Sequence, residues 1–125
     1  MTWSGFRPSD DACTYGYLVP SNMFAVVVLG YLEEIARLIV ESSDLAKAAA
    51  ELRKEIYDGI ENFAITCKEG YGEVYAYEVD GYGQFNLMDD ANVPSLLSMD
   101  YLGYEGKNPQ VAENTRNLIL SEANP

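Results

Sequence analysis

Two stretches of this chain carry residues that could do acid–base chemistry. The first is Ser4-Gly5-Phe6-Arg7-Pro8-Ser9-Asp10-Asp11-Ala12-Cys13-Thr14-Tyr15-Gly16-Tyr17-Leu18-Val19-Pro20-Ser21-Asn22, which sets a guanidinium and two adjacent carboxylates among aromatic and turn residues. The second is Met88-Asp89-Asp90-Ala91-Asn92-Val93-Pro94-Ser95-Leu96-Leu97. Each holds Asp-Asp-Ala and then Val-Pro-Ser leading into apolar residues. Proline suits the first position of a helix, and the free N–H groups of a helix start favour a nearby carboxylate. The expectation is therefore two acidic loops, each mounted on a helix start. Adjacent carboxylates raise each other's pKa once desolvated, so one of them can stay protonated near neutral pH. Such a pair can act as acid, as base, or as acceptor for sugar hydroxyls. The plainer alternative is capping and loop hydrogen bonding.

Other chemistries are excluded by composition. The chain has no histidine and two cysteines, Cys13 and Cys67. That removes the usual zinc ligand set and any Ser-His or Cys-His nucleophile pair. Calcium loops of the Asp-x-Asp type and glycine-rich phosphate loops are absent, so no metal and no cofactor are expected. Cys13 reads as a small buried hydrophobe. If chemistry occurs, carboxylates carry it. A third candidate stretch is Glu78-Val79-Asp80-Gly81-Tyr82-Gly83, either a site loop or a turn whose glycines take positive φ. The chain has ten tyrosines, most of them in its predicted loops, where rings can stack on sugar faces or fill loop–helix junctions.

The net charge is −12 against only 8 Lys+Arg. That argues against nucleic acid and anionic membrane surfaces, both of which need basic groups. A neutral ligand such as a sugar fits better. The apolar run Met23–Leu32 meets Glu33 and Glu34 well short of the ~20 residues of a membrane span. No signal peptide is visible at the N-terminus, and a cytoplasmic setting is favoured.

The elements that would position these groups are mostly helical. Phe24, Val27, Val28, Tyr31, Leu32, Ile35, Leu38 and Ile39 predict a helix over 20–42. Ser42-Ser43-Asp44 supply a cap for a second helix over 44–64. Alternation and tyrosines over 71–88 predict a small β-hairpin or long ordered loop, turning at Asp80-Gly81. A short helix over 93–101 and a last helix over 109–122 follow. The pattern is all-α, with long aromatic-rich connections at one end and short ones at the other. Both ends of the chain read as cut from something larger.

The Ser4–Ala12 and Met88–Leu97 motifs, with Met1-Thr2-Trp3 before them and Tyr77-Glu78-Val79-Asp80-Gly81-Tyr82-Gly83 between, closely resemble glycoside hydrolase family 125. These are metal-independent exo-α-1,6-mannosidases. The resemblance spans the chain and implies a segment of an (α/α)6 barrel of helical hairpins, residues 1–125 forming part of one such domain. It implies inverting hydrolysis of terminal α-1,6-linked mannose, with an Asp acid and a Glu base. The acid matches Asp10 or Asp11, with Asp10 slightly favoured; no match to the base lies in this chain. Arg7, Trp3, Asp80, Tyr82, Asp89, Asp90 and Asn92 are the implied substrate-binding groups. Without its base the chain is expected to be inactive alone, and uncovered helix faces would make it associate. The alternative from a different class is a non-catalytic helical module that binds carbohydrate or another protein.

Overall fold

The computed structural model describes residues 1–125, and the chain is a mixture of helix and sheet. In order, the elements are β1 (Tyr17–Leu18), α1 (Val19–Leu38), α2 (Ser43–Phe63), β2 (Ile65–Lys68), β3 (Gly72–Tyr75), β4 (Glu78–Val79), β5 (Phe85–Asn86), α3 (Met99–Leu102) and α4 (Pro109–Ile119). The all-α expectation is thus corrected. Five short strands form two small antiparallel sheets, one ordered β1-β4-β5 and the other β2-β3.

The long helices form for the reasons their sequences suggest. α1 opens with Pro20 in its first turn, and α2 is capped by Ser42, whose hydroxyl accepts from the Leu45 N–H at 3.4 Å. Asn108 caps α4 through the Gln110 N–H at 3.0 Å, with Pro109 next in line. α1 stops earlier than its apolar periodicity predicts. Glu41 turns into the left-handed region at φ 56°, and the Ser42 N–H returns to the Ala36 carbonyl at 2.9 Å. That closes the helix end and satisfies a carbonyl the helix would otherwise leave free.

The expected hairpin over 71–88 is really two. β2 and β3 pair from Ile65↔Tyr75 to Lys68↔Gly72, so the first begins directly after α2. The second pairs Glu78↔Asn86 and Val79↔Phe85 around a turn at 80–84. β1 then adds to β4 through Tyr17↔Val79 and Leu18↔Glu78. This pairing draws the N-terminal residues across some sixty positions of sequence onto the middle of the chain. The expected helix over 93–101 shrinks to Met99–Leu102, because Ser95 and Ser98 bond each other's backbone over 95–98 instead.

The core lies where the α1–α2 pair meets the two sheets. Leu18, Val19, Met23, Ile60, Ala64, Tyr75, Ala76, Tyr77 and Val79 are nearly or fully excluded from water. α4 packs on β3, where the Thr115 hydroxyl accepts the Tyr75 N–H at 2.9 Å. Glu61 ties the far side together: Oε1 accepts the Tyr75 hydroxyl at 2.8 Å and the Tyr104 hydroxyl at 2.7 Å, while Oε2 accepts the Lys107 N–H at 3.0 Å.

One face of α1 has no partner. Phe24, Val28, Tyr31, Leu32 and Ile35 recur at helical spacing on it and are exposed, Ile35 at 46%. α1 also has the length and apolarity of a membrane span, a property that core helices share, and its Val19, Pro20, Asn22, Met23, Val26, Val27 and Ala36 are buried in this fold. A stripe of this size on a water-exposed helix favours association. The 125-residue chain is expected to self-associate with rising concentration, and Leu32→Glu with Ile35→Glu to return it to monomer, as read by sedimentation velocity. The double variant should keep its helical circular dichroism, since both positions lie outside the core.

Candidate active site

The Arg7–Asp11 segment is the tip of an irregular hairpin, not the start of a helix. The Ser4 N–H donates to the Gly16 carbonyl at 2.8 Å, Cys13 to Gly5 at 3.0 Å, and Arg7 to Asp11 at 2.8 Å, with Phe6 bridged to Ala12. Asp10 closes the tip by donating its N–H to the Arg7 carbonyl at 3.0 Å, and its own φ is 69°. This is a three-residue loop, Pro8-Ser9-Asp10, ending in a left-handed residue, a position that glycine favours. Here the residue is aspartate, whose short polar side chain tolerates that conformation better than most. The Asp10 carboxylate accepts no hydrogen bond from the protein, whereas Asp11 Oδ2 accepts the Ser9 hydroxyl at 2.8 Å.

What holds the hairpin in place is Glu78, a residue outside the candidate site groups that the sequence points to. It sits on β4 with no exposure to water. Its Oε1 accepts Arg7 Nε at 2.6 Å; its Oε2 accepts the Thr14 N–H at 3.0 Å, the Tyr15 N–H at 3.2 Å and Asn86 Nδ2 at 3.1 Å. Burial alone would raise the Glu78 pKa, but the bonds from Arg7, Asn86 and the Tyr15 amide outweigh it and hold the carboxyl below the usual range. Arg7 in turn is kept charged chiefly by that bond. Its guanidinium also lies over the Tyr77 ring, 5.6 Å from the centroid. No protein acceptor takes its terminal Nη groups.

Trp3 is largely exposed and lies against Gly16, where a Cβ would fall 1.8 Å from the indole nitrogen. Only glycine fits there. Asn22, buried on α1, accepts the Thr2 N–H at 2.6 Å and donates to the Thr2 carbonyl at 3.0 Å, so the residues leading into the hairpin are tethered as well.

The second Asp-Asp-Ala stretch has a different conformation. Its left-handed residue is Ala91, at φ 59°, not the first aspartate. Asp89 is buried and accepts from the Leu96 and Leu97 N–H groups at 2.9 and 3.4 Å, but these belong to the turn before α3, so this loop too lacks the expected helix start. Burial raises its pKa, despite those two bonds. Asp90 Oδ1 accepts the Asn92 N–H at 3.1 Å. Its Oδ2 is buried without a well-formed hydrogen bond, and so is the Tyr77 hydroxyl. The two face one another: burial first, then the charge of Asp90, pushes the Tyr77 phenol far above its ordinary pKa. Tyr77 therefore links the groups, carrying Arg7 over its ring and Asp90 beside its hydroxyl.

Asp80 is engaged in its own turn, accepting the Tyr82 N–H at 2.7 Å and the Gln84 N–H at 3.0 Å. Tyr82 projects into water at 95% exposure. Cys13 is half-buried against the core, and burial, then the Glu78 charge, raises its thiol pKa, which does not suit a nucleophile. The two main concavities, of about 780 and 430 Å³, lie between α1, α2 and Gly103–Glu105 and beside Met1, Tyr17 and Gly81. Neither is lined by Arg7, Asp10, Asp11, Asp89 or Asp90. Neither of these two concavities gathers the acidic groups.

The lowered Glu78 pKa sets a pH dependence. Its contribution to stability is complete above the ordinary glutamate pKa, about 4.3, and is lost as pH falls through the lower folded value. Asp89 acts oppositely: its raised pKa means that protonation favours the folded form, which offsets part of the loss. Urea unfolding at pH 7 is expected to show Glu78→Gln less stable by about 3 kcal/mol, because Arg7 is left unpaired. At pH 3 the gap between the two proteins should narrow. A gap that is constant with pH would contradict the ion pair.

The model of the metal-independent α-mannosidases of glycoside hydrolase family 125 matches residues 1–125. The meiotically up-regulated gene 157 protein of Schizosaccharomyces pombe is 47% identical over 123 residues, covering 98% of this chain and 24% of that protein. A solved structure of a metal-independent α-mannosidase from Streptococcus pneumoniae, a non-productive complex with α-1,6-mannobiose, superposes with a TM-score of 0.94 at 52% identity. It is matched over all of this chain and 30% of its own. The chain thus spans about a quarter to a third of these relatives. Matched along its whole length, it belongs to glycoside hydrolase family 125, the metal-independent α-mannosidases.

Proposed function

We propose that this chain carries the acid side of the site of an inverting exo-α-1,6-mannosidase. One observation carries the assignment within the chain. Asp10 holds a left-handed position that glycine would fill at least cost, and it presents a carboxyl with no protein partner, on a hairpin clamped by a buried ion pair. Asp11 is engaged by Ser9, which favours Asp10 as the acid. An acid of this kind must stay protonated until it donates to the leaving oxygen. Asp10 is exposed at the hairpin tip, where a bound sugar could reach it.

The remaining groups fit a sugar. The free Nη groups of Arg7 can donate to a mannose hydroxyl, and Asp90, Asn92 and Asp80 can accept from others. Trp3 and Tyr82 offer exposed rings for stacking. That the Streptococcus pneumoniae relative holds α-1,6-mannobiose supports this substrate class. An inverting base stands about 6.5–9.5 Å from the acid, with a water between. We place that glutamate outside residues 1–125, in a polypeptide that completes an (α/α)6 barrel. The second reading, a non-catalytic carbohydrate-binding module, draws on the same exposed rings and needs no base.

The test is a chimera in which residues 1–125 replace the matching 30% of the Streptococcus pneumoniae α-mannosidase. The chimera is expected to hydrolyse α-1,6-mannobiose, and the 125-residue chain alone to show no turnover. Asp10→Asn should lower kcat about a hundredfold or more, the usual scale of acid catalysis. Asp11→Asn should cost much less. Asp10→Gly should be as damaging as Asp10→Asn, yet leave the unfolding midpoint unchanged or raise stability by up to about 1 kcal/mol. Full activity in Asp10→Asn would overturn the assignment, and turnover by the isolated chain would overturn the missing base.

A further inference from the structure

We infer that Glu78 is the positioning residue for the acid-bearing hairpin, acting on Asp10 through Arg7 and through the Thr14 and Tyr15 amides. The inference rests on reading that hairpin as the carrier of the acid. Four donors converge on one carboxylate, and none of them comes from β4 itself. Arg7 is the last residue before the Pro8-Ser9-Asp10 tip, and its carbonyl is the acceptor that closes the tip. Thr14 and Tyr15 lie on the returning limb. Glu78 therefore grips both limbs, and no hydrogen bond ties Asp10 to the sheet directly.

A carboxylate buried to this degree would be costly without donors for its lone pairs. Its neighbours are few: Arg7 and the Cys13 thiol on the hairpin, Tyr77 beside it on the chain, and the neutral Asn86 on β5. Arg7 is the one cation among them. Glu78 thus does two separable things. It holds the tip through both limbs, and it pairs the Arg7 guanidinium at the root of the hairpin.

The experiment compares Glu78→Gln and Glu78→Asp in the chimera and in the 125-residue chain. In the chimera, Glu78→Gln should lower kcat at least tenfold and also raise KM, because Arg7 is released along with the tip. Glu78→Asp keeps a charged partner for Arg7 but shortens the reach, so its kcat should lie between those of the parent and Glu78→Gln. Equal losses in the two variants, with α2 amides losing hydrogen-exchange protection as much as the hairpin amides, would mark general destabilisation and overturn the inference. So would kcat within threefold of the parent. Loss of activity in Asp10→Asn with an unchanged Glu78→Gln chimera would retain the acid assignment and reject Glu78. Full activity in Asp10→Asn would reject the acid assignment, and this inference with it. Should the chimera not turn over, the isolated chain decides. Its Thr14, Tyr15 and Asp10 amides should lose at least tenfold in hydrogen-exchange protection in Glu78→Gln, with α2 amides unchanged, and unaltered hairpin protection would overturn the inference.

Discussion

The ion pair between Arg7 and the wholly buried Glu78 is the constraint on which the arrangement of this chain depends. A lone carboxylate taken out of water costs several kcal/mol, so its position fixes where donors must be. Those donors are Arg7, Thr14, Tyr15 and Asn86, and supplying them brings the first sixteen residues onto a strand near residue 78. β1 pairing with β4 and the Asn22 tether to Thr2 work in the same direction. The hairpin is thereby firmly rooted, with Asp10 exposed at its tip.

The rest of the fold is a platform for that root. α1 and α2 form an antiparallel pair that leads, through β2 and β3, into β4. α4 backs β3 through Thr115, and Glu61 gathers Tyr75 and Tyr104 on the other side. The apolar stripe of α1 stays open in this fold, and neither of its two main concavities gathers the acidic groups. The matched relatives are three to four times longer than this chain.

How far the sequence was legible follows from the range of the interactions involved. α1, α2 and α4 were readable because periodicity and caps at Ser42 and Asn108 are local signals. The strands were not, because two-residue strands such as β1 and β4 exist only by pairing across distant sequence. The repeated Asp-Asp-Ala text suggested one shared conformation. The structure gives two: Asp10 takes the left-handed position in the first and Ala91 in the second, because one stretch closes a hairpin and the other wraps onto the 95–98 turn. Glu78 escaped notice because a carboxylate in Tyr75-Ala76-Tyr77-Glu78-Val79 looks like the polar beat of an alternating strand. The available clue was that its neighbours on both sides are apolar or aromatic, which marks a charge that must be buried and paired.

The reading stands on where the hairpin tip lies relative to the bond being cut. The most direct measurement is a crystal structure of the chimera with a non-hydrolysable α-1,6-mannobiose analogue bound across the site. The expected result is the Asp10 carboxyl within hydrogen-bond reach of the bridging oxygen, about 2.6–3.2 Å, with Arg7 still on Glu78. A bridging oxygen beyond the reach of Asp10, met instead by another carboxyl, would contradict it.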